Sequence, residues 1–177
     1  MFKIANFLSK PYLYIGNRKP KDVNHQIDKL RLYTAIQAFR IFYFFSKKNG
    51  ALFLEGKCYQ SLGNYEKALS LFKKTWETSE FNPTLFKEIG TMCLKLHKYE
   101  EGLRFAQKEV SENPNDCGAL INLAIFSLMI GRINEAFQII SQAARLEEKS
   151  TKPLFEYIKL IKDGAKPIPK IWTFNLT

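Results

Sequence analysis

The sequence predicts an all-α protein, an α-solenoid of three 34-residue helix–turn–helix repeats with a long N-terminal helix and a C-terminal capping helix. Small residues recur 34 positions apart at Gly56, Gly90 and Ala124, and the remaining columns then align without a gap. Apolar residues within each half of a repeat recur at helical spacing. The 177-residue chain is 46% hydrophobic and 25% charged, so it can bury a core of ordinary size.

The stretch before the repeats predicts a long helix. Residues 22–48 contain no glycine and no proline, so they predict one helix of about 25 residues or a degenerate repeat that has lost its turn. The residues expected to face the first repeat are Ala35, Ala38, Phe39, Phe42 and Phe45. The opposite side also carries large apolar residues, Ile36 and Phe44 among them. We therefore expect residues 1–20 or a partner to cover that side.

Each repeat predicts two antiparallel helices, A and B, joined by a tight turn. The copies span residues 49–82, 83–116 and 117–150. In the first copy, helix A is expected over Ala51–Leu62 and helix B over Tyr65–Thr78. The turn between them contains Gly63, which can adopt the positive φ that such a turn needs. His97 and Gly131 occupy the corresponding positions of the other two copies.

The columns that define the repeat have a recognisable composition. They contain Leu52, Gly56, Tyr59, Gly63, Tyr65, Ala68 and Phe72 in the first copy, Phe86, Ile89, Gly90, Tyr99, Gly102 and Pro114 in the second, and Leu120, Leu123, Ala124, Gly131, Ala136 and Ala143 in the third. This pattern resembles the tetratricopeptide repeat family, whose unit is a 34-residue helix–turn–helix. Glu55 and Thr75 depart from it, because they occupy positions that are usually apolar or small in that family.

The end of the chain predicts a cap and a tail. Residues 151–164 predict a further amphipathic helix that Ser150 or Thr151 caps and Gly164 ends. Such a helix would cover the open face of the last repeat, as repeat arrays require. Residues 165–177 predict an extended tail.

Residues that carry catalytic chemistry are scarce. The chain has two histidines and three cysteines, Cys58, Cys93 and Cys117, with no CxxC pair, and it has no glycine-rich phosphate loop or nucleophile elbow. We expect a protein that is not an enzyme, with no catalytic residues, no cofactor, no metal site and no small-molecule substrate. The odd number of cysteines favours a reducing compartment and hence a cytoplasmic location.

The family resemblance implies a concave groove lined by the A helices, in which a partner segment binds. Projected onto this chain, the groove consists of Phe53, Lys57 and Gln60 in the first copy, Lys87, Thr91, Leu94 and Lys95 in the second, and Ile121, Asn122, Ile125, Leu128 and Met129 in the third. The apolar third-copy residues would contact either a bound peptide or the chain's own C-terminal helix or tail. The predicted function is that of an adaptor, scaffold or chaperone-like protein.

One branch of the family grips a C-terminal carboxylate with five groove residues. The matching positions here are Lys87, Thr91, Asn122, Lys152 and Glu156. Three of the five residue types agree, but Thr91 lacks an amide and Glu156 places a negative charge where a cation should meet the carboxylate. This disfavours carboxylate clamping.

The charge distribution supplies an alternative function. The net charge is +8 over residues 1–50, −1 over 51–150 and +3 over 151–177. The basic N-terminal arm, residues 1–21, could therefore attach the protein to the surface of an anionic membrane or to nucleic acid. Three repeats with an added helix also resemble the small chaperones of bacterial type III secretion translocators, although those are commonly acidic.

Overall fold

The structure, a computed structural model, describes residues 24–78 and 83–170, which form eight helices and no strand. In chain order these are α1 (Asn24–Ser46), α2 (Asn49–Ser61), α3 (Tyr65–Glu77), α4 (Pro83–Lys95), α5 (Tyr99–Glu112), α6 (Cys117–Met129), α7 (Ile133–Leu146) and α8 (Glu148–Lys162). The predicted all-α repeat architecture is confirmed. Within the described ranges, no helix is both long enough and apolar enough to cross a membrane.

The helix boundaries follow the 34-residue period. The A helices begin at Asn49, Pro83 and Cys117, and the B helices begin at Tyr65, Tyr99 and Ile133. The turn between A and B has a positive φ in each copy, 77° at Gly63, 56° at His97 and 85° at Gly131. His97 adopts this left-handed conformation although it has a Cβ atom, which is uncommon outside glycine. The repeat geometry therefore sets the turn even where the sequence does not supply a glycine.

The chain divides into two compact units, residues 1–80 and 81–177. In the first unit α1 packs on α2, and α2 packs on α3. In the second unit each helix from α4 to α8 packs on the next. Each helix thus buries an apolar side against its sequence neighbour, as expected for a repeat architecture.

The N-terminal helix packs on the first repeat through a different face from the one that the sequence predicted. Leu32, Ile36 and Phe39 are buried against α2. Ile36, expected on the far side, is 1% exposed, whereas Phe45, expected to face the repeat, is 80% exposed. The buried positions recur every three or four residues, and nine residues separate Ile36 from Phe45. Nine residues correspond to two and a half helical turns, so Phe45 points the opposite way.

The unusual acid of the first repeat is paired by the N-terminal helix. Glu55 is only 4% exposed. The Nε of Arg40 on α1 donates a hydrogen bond to Glu55 Oε1 at 2.8 Å, and its Nη2 donates to the hydroxyl of Tyr59 at 2.9 Å. The hydrogen bond to Glu55 raises the pKa of Arg40. A buried carboxylate needs such a partner, so α1 makes an acid tolerable at a usually apolar repeat position.

Two buried rings pack where glycines leave room. A Cβ atom on Gly56 would lie 2.6 Å from Cε1 of Phe72, and one on Gly102 would lie 2.7 Å from Cδ1 of Phe126 and closer still to that ring's Cε1. A Cβ on Gly90 would lie 3.7 Å from Phe126, which is ordinary contact. Both rings are fully buried. A neighbouring ring therefore approaches the backbone closely at Gly56 and Gly102, and the contact at Gly90 is looser.

We expect Gly102→Ala to lower the free energy of unfolding by about 1–3 kcal/mol, because the added methyl group overpacks the Phe126 ring. Gly90→Ala is the matched control, since it adds the same group against the same ring where room exists. It should be neutral or raise stability by up to about 1 kcal/mol through helix propensity. Denaturant titration followed by circular dichroism measures both effects. Equal losses for the two variants would contradict the packing described.

The C-terminal helix begins earlier than predicted. It starts at Glu148, so the prediction that Ser150 or Thr151 caps it was wrong. Thr151 is buried inside the helix, where its hydroxyl donates to the Glu147 carbonyl oxygen at 2.7 Å. A threonine can satisfy its hydroxyl in this way instead of capping. At the other end, Gly164 has a φ of 74° and ends the helix as predicted.

Candidate partner-binding surface

The apolar part of the predicted groove is buried by the chain itself. The buried third-repeat residues are Ile121, Ile125, Leu128 and Met129. They belong to one apolar cluster with Leu154, Ile158 and Ile161 of α8. The sequence left two occupants for this side of α6, a bound peptide or the chain's own C-terminal region. In the described residues, α8 and Ile168 of the tail share one apolar cluster with these residues, as do Ala136, Ile140 and Ala143 of α7.

The described part of the tail also contacts the second unit. After Gly164, residues 165–170 form neither helix nor strand. Ile168 is half-buried and packs against the cluster just described. The hydroxyl of Tyr99, the first residue of α5, donates to the Lys170 carbonyl oxygen at 3.4 Å. The tail therefore reaches from the end of α8 to the start of α5. The remaining tail, residues 171–177, lies outside the described residues.

The second-repeat positions form a mixed polar and apolar stripe on α4. Lys87 and Lys95 are exposed, and Thr91 and Leu94 are half-buried. Their spacing of four, three and one places them on the same side of the helix. The Thr91 hydroxyl donates to the Lys87 carbonyl oxygen at 2.8 Å, and Leu94 packs against the apolar cluster. This stripe offers two cations beside an aliphatic contact.

The first-repeat positions lie in the first unit. Phe53, Lys57 and Gln60 on α2 are all half-buried. The ring centroid of Phe53 lies 5.5 Å from that of Phe72, so this ring is partly engaged in intramolecular packing. Their spacing of four and three also places these three residues on the same side of the helix.

Sequence reasoning missed a buried acid beside one groove position. Glu109 is 6% exposed, and its Oε2 accepts a hydrogen bond from Nδ2 of Asn122 at 3.4 Å. Burial raises the pKa of Glu109 to about 7, the hydrogen bond from Asn122 opposes this shift, and the negative charge of Asp116 adds to it. The repeat alignment could have indicated this buried acid. Glu109 shares a column with Thr75 and Ala143, and such a column usually holds small residues that pack inside the repeat.

The raised pKa of Glu109 makes stability depend on pH. Between about pH 4.5 and about pH 7 the folded chain holds a proton on Glu109 that the unfolded chain has lost. Stability should therefore fall as the pH rises through this window. Glu109→Gln is neutral at every pH and can still accept from Asn122, so it should raise the melting temperature more at about pH 8 than at about pH 5.

Thermal unfolding of the Glu109→Gln variant and the unchanged protein at both pH values measures this difference. Glu112→Gln is the matched control, because Glu112 lies on the same helix and is exposed. A change in melting temperature that is the same at both pH values would contradict the raised pKa.

Burial also determines what Ile125→Asp should do. Ile125 is 2% exposed within the apolar cluster, so an aspartate there would meet no counterion. We expect a loss of about 3 kcal/mol or more in the free energy of unfolding. Gln138→Asp, at an exposed position of α7, is the control and should be close to neutral. An unchanged unfolding midpoint for Ile125→Asp would mean that this side of α6 is uncovered in solution.

The cysteines are thiols in protected positions. Cys58 and Cys93 are buried, and Cys117 is partly buried. Burial raises the pKa of Cys58 to about 12 and also raises that of Cys117. Thiols with raised pKa values are poor nucleophiles at neutral pH. Over residues 24–78 and 83–170, no three His, Cys, Asp or Glu side chains are grouped so as to hold a metal ion.

One family model matches part of the sequence. Residues 28–109, a little under half of the chain, match the family described as anaphase-promoting complex, cyclosome, subunit 3. No curated relative matches the sequence.

Solved structures share the fold. YrrB, described as a TPR protein with an unusual peptide-binding site, is 19% identical with a TM-score of 0.65, over 89% of this chain and 79% of that one. MamA residues 41-end from Desulfovibrio magneticus RS-1 is 16% identical with a TM-score of 0.67, over 88% and 86%. The first TPR of Spaghetti (RPAP3), bound to the HSP90 peptide SRMEEVD, is 18% identical with a TM-score of 0.59, over 67% and 95%.

The repeat register and the shared fold are those of the tetratricopeptide repeat structures that the chain matches.

Proposed function

We propose that the chain is a non-enzymatic adaptor that binds an extended segment of another protein on its second unit, at the stripe of α4 and the neighbouring Asn122. The observation that carries this proposal is the chain's own tail. It lies without regular structure against the same unit, through Ile168 and the carbonyl oxygen of Lys170. A surface that accepts an extended segment of its own chain has the apolar contacts and the hydrogen-bond donors that a foreign segment would use.

The side chains of the stripe favour an acidic segment with an aliphatic residue. Lys87 and Lys95 are exposed cations, and Leu94 lies between them as a half-buried apolar contact. Recognition along the segment is favoured over recognition of a terminal carboxylate. The Asn122 amide already donates to Glu109, and Glu156 is an exposed anion. Phe53, Lys57 and Gln60 of the first unit stay predicted partner contacts.

The similar structures support a peptide as the kind of ligand. The YrrB structure is described as having a peptide-binding site, and the RPAP3 repeat binds a peptide with acidic residues, SRMEEVD. The same fold in this chain can present the stripe of α4 to such a segment. In this proposal the chain acts by binding through a contact surface, so no catalytic group is required.

Reversing the charge of the stripe tests the proposal. The full chain is immobilised, captured proteins from the source cell are identified by mass spectrometry, and a peptide from the captured protein is titrated by fluorescence anisotropy. Lys87→Glu with Lys95→Glu should lower the affinity for that peptide at least about tenfold. Lys149→Glu with Lys159→Glu on α8, also exposed, is the matched control and should leave the affinity unchanged.

Releasing the tail gives an independent measurement on the full chain. Ile168→Ser removes the apolar contact that holds the tail against the cluster, so it should strengthen peptide binding if the tail and the peptide use the same surface. An affinity for the peptide that is unchanged in both the charge variant and the tail variant would show that the stripe is not the partner surface.

The other functions predicted from the sequence remain predictions. The basic arm, residues 1–21, lies outside the described residues, and so does any contact it would make with a membrane or with nucleic acid. A role like that of the type III secretion chaperones and a cytoplasmic location also stay predictions.

A further inference from the structure

The side of α1 that faces away from α2 carries a strip of exposed apolar residues. We call it the outer strip, and it consists of Leu30, Tyr33, Ile41, Phe44 and Phe45. Their exposed fractions run from 53% at Tyr33 to 80% at Phe45. The first four recur at helical spacing on one side of α1, and Phe45 adjoins Phe44 with their ring centroids 5.2 Å apart. Large apolar side chains grouped in this way indicate a contact surface.

Cations flank the outer strip at both ends. Lys29 and Arg31 lie beside Leu30, and Lys47 and Lys48 follow Phe45, all four exposed. The Nζ of Lys47 lies 5.2 Å from the centroid of the Phe44 ring. Residues 24–48 contain five Lys or Arg and a single acid, Asp28. The surface therefore combines an apolar centre with positively charged ends.

We infer that the outer strip of α1 docks on an anionic lipid surface. An interfacial helix buries aromatic and aliphatic side chains at the acyl boundary while its lysines meet the negative headgroups. Lysine stems can extend along apolar side chains to keep the ammonium group in the headgroup region. The placement of Lys47 against Phe44 has this form. The proposal concerns α1 alone and does not depend on the peptide surface of the second unit.

The charges disfavour the other occupants. Two copies pairing through this strip would bring like charges together whether their α1 helices ran parallel or antiparallel, because both ends are basic. The arm of residues 1–21 has five basic and no acidic residues, so it adds charge of the same sign. Single-stranded nucleic acid binds along a positively charged groove that follows its backbone, with aromatic rings stacked on the bases. The five residues of the outer strip carry no charge, and the cations beside the strip are grouped at its two ends.

Vesicle binding of the full chain tests the inference. The chain should sediment with vesicles of phosphatidylcholine and phosphatidylserine and should not sediment with phosphatidylcholine alone. Phe44→Ser with Phe45→Ser should weaken this binding at least about tenfold, because two inserted rings are lost. Both side chains are mostly exposed, so the unfolding midpoint should not fall. The matched control is Leu146→Ser with Leu160→Ser, which replaces exposed apolar residues of α7 and α8 and should leave binding unchanged.

A second pair of variants tests the charges. Lys47→Glu with Lys48→Glu should weaken vesicle binding, and Lys149→Glu with Lys152→Glu on α8 should not. The inference is overturned by absence of binding to the anionic vesicles, by equal loss in a control, or by loss that occurs only with Lys3→Glu and Lys10→Glu in the arm. It is also overturned if the Phe44 and Phe45 variant has a different mass by light scattering from the unchanged protein, because the strip would then bind a second copy of the chain. Loss of binding to an RNA homopolymer in this variant, with vesicle binding unchanged, would overturn it as well.

Discussion

The ring of Phe126 occupies the space that Gly102 leaves on α5, and it also contacts the position where a Cβ of Gly90 on α4 would stand. One side chain of the third repeat thus inserts between the two helices of the second repeat. Because the ring is fully buried, it cannot turn away, and α6 is held in one orientation. Ile125, the preceding residue of α6, belongs to the separate apolar cluster that α6 forms with α7 and α8.

Two acidic residues occupy repeat positions that are usually small or apolar, and each one accepts a hydrogen bond from a residue of another helix. Glu55 is neutralised by Arg40 from α1, so the long helix is part of the first repeat's electrostatics as well as its packing. Glu109 has only the amide of Asn122, and its pKa rises accordingly. The two acids occupy inner positions and differ in the charge of the partner, a guanidinium for Glu55 and a neutral amide for Glu109. Burial is the main cause of the raised pKa of Glu109.

The two units present surfaces of different chemistry. In the second unit, the apolar residues of α6 are buried in one cluster with residues of α7 and α8, and the described tail lies against the same cluster. On α4 the exposed groove positions are the two cations Lys87 and Lys95. In the first unit, the apolar residues Phe44 and Phe45 of α1 remain exposed between basic ends. A surface that the chain's own tail contacts is suited to bind a peptide in place of that tail. An exposed apolar strip is suited to contact a lipid surface.

The sequence by itself determined the repeat period, the starts of the B helices and the positions of the turns, since these depend on spacing within about 34 residues of chain. It also predicted the long first helix and the cap. Tertiary structure alone decided that Ile36 is buried while Phe45 is exposed, that α8 begins at Glu148, and that the apolar third-repeat residues are buried in a cluster with α7 and α8. These outcomes depend on which helices pack against each other. The residue pattern along one helix does not specify where the neighbouring helix lies.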